Sequence, residues 1–218
     1  LKLMCALSNA FKNNHQKIPF ITIAAKHGNP CGLSVDWDSP LQAVDFSLFG
    51  HPMAIWGGEV ITNFSISGEL AQKLFKSEER ERLCGNPYWM LDLIVAPEFE
   101  PEAQNVLGKR EHRKLFTNKA LYTPHGSSEP WALRSVRGGY LRQPPNNFVM
   151  NLADYMDDLE KPESSVWDSL LIAWATAWFS NYGGNEVALV KDRKLIGFGG
   201  GPSTVEAAVA AIRKAQDN

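Results

Sequence analysis

Lysine and histidine stand side by side at Lys26-His27, and Asn29-Pro30-Cys31-Gly32 follow almost at once. A neutral imidazole accepts a proton near pH 7. An ammonium beside it can face an oxyanion or a departing nitrogen. The pair suits acyl-type transfer, where a positioned general base contributes about 10²–10⁴-fold in rate. The same dipeptide also occurs on loops that carry no chemistry, so its place in the fold has to decide. Cys31 offers a thiol nucleophile, but no second histidine stands near it in sequence. A small buried thiol beside a tight turn is the simpler reading.

Three further groups have the chemistry to border a ligand. Trp56-Gly57-Gly58 joins a stacking surface to two glycines that let a flat molecule approach the backbone, or else marks a bend beside a core tryptophan. Gly197-Phe198-Gly199-Gly200-Gly201 precedes a helix and offers a phosphate cradle through Gly199 and Gly201. It lacks the dinucleotide spacing and the P-loop lysine, so a plain strand-to-helix turn competes with it. Asn185 carries both a donor and an acceptor and can orient a carboxamide, or serve only its own turn. His15, His51, His112 and His125 fall in stretches that read as loops or surface, and no pair of them has metal-ligand spacing.

These residues need elements to hold them. Leu3, Met4, Leu7 and Phe11 form a helical stripe over residues 1–14. The run 18–25 (IPFITIAA) is apolar and β-branched, as a central buried strand requires, and 26–33 follows as a loop. Ser39-Pro40 caps a helix through Phe49. A strand is expected at 52–56, a helix over 67–82, a buried strand at 91–96, a short helix at 101–108 and a brief strand at 114–116. Residues 132–143 alternate over two glycines as one bent strand. A polar linker at 160–165 leads into a helix over 166–179. A hairpin over 186–198 turns at 191–194, and a helix closes the chain at 203–215. Strands alternating with helices predict a layered α/β fold with a mixed sheet.

Hydrophobic residues make up 44% of the 218 residues and charged residues 21%, which is ordinary globular composition and argues against disorder. The net charge of −2 argues against a nucleic-acid surface, and no stretch is long and apolar enough to span a bilayer. Three cysteines without a C-x-x-C pair exclude a cysteine zinc site and fit a reducing cytoplasm. The chain opens on Leu1 with helix periodicity already under way, which reads as a segment of a longer chain.

Five segments, in order, resemble the AICAR transformylase family, the formyltransferase part of the bifunctional purine-biosynthesis enzyme that also carries IMP cyclohydrolase. They are 26–32 (KHGNPCG), 56–63 (WGGEVITN), 91–99 (LDLIVAPEF), 134–143 (RSVRGGYLRQ) and 185–201, where asparagine, hairpin and glycine-rich turn keep the family's spacing. The resemblance implies a cytidine-deaminase-like three-layer αβα fold with a mixed sheet and no metal, with residues 1–218 as a single subdomain of a longer protein. It implies formyl transfer from the cosubstrate 10-formyltetrahydrofolate to the 5-amino group of AICAR. His27 would be the proton acceptor through the substrate carboxamide, Lys26 would stabilise the transition state, and Asn185 would hold substrate and base in register. Trp56, Gly57 and Gly58 would border the folate pocket, with tryptophan in place of the usual phenylalanine, and Asn29, Gly199 and Gly201 would contact the ligands. The intact protein would be a cytoplasmic homodimer, with small-molecule partners and neither nucleic acid nor membrane.

The departures are specific. Gly183-Gly184 stand where the family has Lys-Ser, Pro202 replaces a glutamine, and Val205 replaces an arginine. Upstream phosphate contacts and a second subdomain lie outside this sequence, so the segment alone is expected to be inactive. The competing readings are a non-catalytic ligand-binding or scaffold homologue, and a formyltransferase acting on another amino-carboxamide.

Overall fold

The computed structural model describes residues 1–124, 131–155, 163–179 and 184–216. Strands β1 (Phe20–Lys26), β2 (Asn29–Asp36), β3 (Glu59–Thr62), β4 (Leu93–Ala96) and β5 (Lys114–Thr117) belong to one sheet. A separate ribbon holds β6 (Ala132–Val136) and β7 (Gly139–Gln143). Strands β8 (Asn185–Lys191) and β9 (Lys194–Gly201) complete the main sheet, whose order is β5-β4-β3-β1-β2-β9-β8. Both β3–β4 and β4–β5 are parallel and the remaining pairs antiparallel. β1 lies at the centre, as its unbroken apolar run predicts.

Helices cover both faces. α1 (Lys2–His15) and α6 (Ser164–Trp178) bury Leu7, Phe11, Leu171 and Ile172 against Ile21, Ile23, Leu33 and Val35. On the opposite face α2 (Pro40–Leu48), α3 (Gly68–Phe75) and α5 (Pro101–Leu107) pack over Ala24, Val60 and Ile94. The small α4 (Glu78–Cys84) follows α3, and α7 (Thr204–Gln216) lies along β9. Strand alternation places α7 on the α2 side, because Phe198 enters the α1/α6 core while Gly197 and Gly199 meet α7. The result is a three-layer αβα architecture around a mixed sheet.

Several boundaries differ from the sequence expectation, each for a local reason. Residues 26–33 are a tight hairpin and not a loop. Lys26 pairs with Asn29, and the register shift at Ala24/Ala25 leaves Cys31 as the extra residue of a bulge, where a strand tolerates Pro30. Residues 52–56 form turns and not a strand, so β3 starts after Gly57-Gly58. The helix expected over 67–82 breaks at extended Lys76, and Ser77 caps α4 by accepting from Arg80 N. Residues 132–143 fold back on themselves at Arg137-Gly138, where Gly138 supplies a φ of 84°. The 160–165 linker falls partly outside the described residues, and Ser164 already belongs to α6.

Candidate functional site

The sheet opens between β2 and β9, and the opening makes a pocket. These strands share one register pair, Ser34↔Lys194, with Val35 N donating to Arg193 O at 3.2 Å. Beyond it the chain at Gly50 stands between them. A Cβ there would lie 3.1 Å from both the Cys31 and the Leu195 carbonyl oxygens. Past this wedge lies a pocket of about 240 Å³, lined by Lys26, His27, Asn29 and Cys31 from the hairpin, Gly50, His51 and Ala54 from the turn after α2, Leu195 to Phe198 from β9, and Lys214 from α7. Ligand pockets commonly run from about 300 to 1,000 Å³, so this space suits part of a substrate.

Lys26 and His27 reach it because the hairpin loop has two residues. His27 and Gly28 have φ of 53° and 78°, as a type I′ turn demands. Glycine, asparagine or aspartate would be the usual occupant. Histidine in a left-handed conformation costs about 1–2 kcal/mol, and such outliers gather at functional sites. The His27 side chain is exposed at the pocket mouth. The Lys26 ammonium donates to the Trp56 carbonyl. Gly57, at φ 65°, lies beside that ammonium and beside the Asp92 carboxylate.

Four basic side chains line the pocket and no carboxylate residue does. Sequence reasoning missed two of them. His51 Nδ1 accepts from Ala54 N at 3.0 Å, which leaves Nε2 as the donor of the neutral ring. The Lys214 ammonium donates to Phe198 O at 2.6 Å, and burial holds its pKa below the ordinary lysine range. Nothing near His51 marked it out in sequence, and a lysine in the last turn of an amphipathic helix reads as a solvated charge. Asn29 Oδ1 is buried with no hydrogen-bond partner among the described residues. Burial pushes the Cys31 thiol up to about 12, against the weaker pull of Lys26 and Lys214. That agrees with an inert buried thiol.

The other expected residues sit around this centre. Trp56 does not line the pocket. The Arg80 guanidinium carbon lies 5.2 Å from the Trp56 ring centroid and 5.2 Å from that of Trp89. Gly58 is pressed against β1, where a Cβ would stand 2.6 Å from Ala25 O. Asn185 lies at the same end of the sheet, on β8, with β9 between it and β2. Its amide donates to Pro202 O at 3.1 Å and accepts from Thr204 Oγ1 at 3.1 Å, so both ends hold the turn before α7. The glycine run is strand and not an open cradle. A Cβ at Gly199 would lie 2.1 Å from Ala207 O, and Gly201 pairs with Asn185. These glycines let α7 lie flush on β9.

A second polar cluster sits at the far end of β2. Fully buried Asp168 meets His15 Nε2 at 2.8 Å, Arg193 Nε at 2.6 Å and Trp37 Nε1 at 2.9 Å. It ties α1, α6 and both turns of that end together. No sequence signal joins four residues so far apart in the chain. Among the described residues no group of three or more His, Cys, Asp or Glu could hold a metal ion, and no helix is long and apolar enough to cross a membrane.

A mixed three-layer α/β domain with a basic pocket opened inside its own sheet defines the class. Residues 3–214 match the family described as AICARFT/IMPCHase bienzyme, and the chain belongs to that family. It is similar to the bifunctional purine biosynthesis protein PurH of Bacillus cytotoxicus, 30% identical over 195 residues, covering 88% of this chain and 35% of that protein. PurH of Trichodesmium erythraeum is 28% identical over 178 residues, covering 81% and 31%. PurH of Staphylococcus aureus is 28% identical over 196 residues, covering 89% and 36%. The chain spans about a third of the length of these relatives.

Proposed function

We propose that this chain is one subdomain of a cytoplasmic, homodimeric purine-biosynthesis enzyme that transfers a formyl group from 10-formyltetrahydrofolate to the 5-amino group of AICAR. The observation that carries this reading is the Lys26-His27 hairpin. It places a base and an ammonium together at the mouth of a basic pocket, on a turn whose backbone disfavours histidine. The amine nitrogen attacks the formyl carbon, and its proton passes to His27 through the carboxamide. The bond from the formyl carbon to the folate nitrogen then breaks, Lys26 stabilises the negative charge that develops, and that nitrogen leaves as N–H with a proton drawn from solvent. Asn29, with its buried carbonyl, orients the carboxamide. Trp56, Gly57 and Gly58 border the folate side.

The test is formyl transfer by the intact protein with His27→Ala alongside. Release of tetrahydrofolate that falls by about 10²–10⁴ in a folded variant supports the reading. No transfer by the folded wild type ends it. A second reading, a non-catalytic or altered-substrate homologue, is favoured by Asn185, whose amide is engaged at both ends within this chain. The Pro202 and Val205 departures point the same way.

A further inference from the structure

Arg80 is 2% exposed, yet among the described residues it forms no salt bridge. A buried cation without a carboxylate is expensive. What Arg80 has instead is two aromatic rings, its guanidinium carbon lying 5.2 Å from the Trp56 centroid and 5.2 Å from the Trp89 centroid. Its Nη1 donates to Asn86 O, and Ser77 caps the helix that carries it by accepting from its N–H. Trp89 is wholly buried, whereas Trp56 is 42% exposed. Arg80 therefore joins a buried ring to an exposed one. Trp56 is also the residue whose carbonyl receives the Lys26 ammonium.

We propose that Arg80 is a positioning residue for Lys26: by clamping the Trp56 ring against Trp89 it fixes the Trp56 carbonyl, and that carbonyl holds the Lys26 ammonium at the pocket mouth. The positioning claim concerns this chain's own contacts, while its catalytic consequence rests on the formyl-transfer reading above. The guanidinium matters, because its delocalised charge meets both rings at once, which a lysine ammonium does less well.

The experiment is competitive labelling of lysines with an amine-reactive ester on the intact protein, read by peptide mass spectrometry, with Lys119 and Lys191 as internal standards. In Arg80→Met, Lys26 labelling rises about three- to thirtyfold, the range a cation–π contact of this kind carries. The standards do not change, and Arg80→Lys restores part of the protection. Trp56→Leu cuts the same link from the other side and gives the same rise, which decides the matter if Arg80→Met does not fold. Unchanged Lys26 labelling in a folded variant overturns the proposal, and so does an equal rise at all lysines. If the wild type transfers formyl, Arg80→Met lowers kcat about ten- to hundredfold and leaves KM for the amine nearly unchanged. A labelling rise in a protein whose wild type transfers no formyl keeps the clamp and removes the reaction, so the two failures are distinct.

Discussion

The backbones of Gly32 and Gly50 touch: a Cβ on Gly50 would lie 2.6 Å from the Cα of Gly32. The last turn of α2 is just as close, since a Cβ on Gly32 would meet Ser47 O at 1.8 Å. This backbone-to-backbone contact lets the chain enter the sheet and keep β2 from zipping onto β9. Gly32→Ala has nowhere to put a methyl group, because the obstacle is helix backbone. The expected loss is about 3 kcal/mol, the upper part of the overpacking range, measured by chemical denaturation.

His27 should separate stability from activity. Its φ of 53° on a two-residue hairpin turn suits asparagine better than histidine. His27→Asn is expected to match or exceed the wild type in stability, by up to about 1 kcal/mol. Formyl transfer by the intact protein should fall by about 10²–10⁴. A variant that loses stability and keeps turnover would reverse both halves of the argument.

Cys31 should be a slow thiol. With its pKa pushed up to about 12 from 9.0, the thiolate at pH 8 is about a thousandfold scarcer than in an ordinary thiol. Iodoacetamide should label it far more slowly than the same cysteine in urea. The sign for stability follows. The unfolded chain gives up this proton near pH 9 while the folded chain keeps it to about 12, so the unfolded state binds fewer protons and stability falls as pH rises across that window.

Asp168 anchors the opposite end of the sheet. Asp168→Ala leaves Arg193 without its carboxylate and frees Trp37 and His15. Breaking such a buried pair costs about 3–5 kcal/mol, a large share of a domain's usual margin of about 5–15 kcal/mol. Thermal unfolding monitored at the tryptophans should show it.

The His51–Lys214 lining predicts a binding effect without a fold effect. His51→Ala removes one donor from the pocket wall, while Ala54 N keeps the His51 backbone carbonyl as its acceptor at 3.0 Å. Binding of AICAR to the intact protein should weaken by about tenfold, the worth of one good hydrogen bond. Isothermal titration reads it directly, and unchanged affinity would place the ligand elsewhere.

What the sequence determined by itself were the features that depend on neighbours along the chain. The apolar run of β1 needs burial on both faces and so lies at the sheet centre. Ser39-Pro40 caps α2 because the cap and proline geometry are local. The segment 26–32 (KHGNPCG) carries both its chemistry and its family likeness in seven residues. Only the tertiary structure decided the rest. The strand character of Asn29 to Gly32 depends on a bulge at Cys31 that β1 imposes. The glycines of β9 serve helix packing, which no one-dimensional pattern distinguishes from a phosphate cradle. Lys214, Arg80 and Asp168 find partners on other elements, and His51 joins a pocket only because its turn meets β9 and the β1–β2 hairpin. Those meetings are created by sheet order and helix docking, and burial, not spacing, makes them matter.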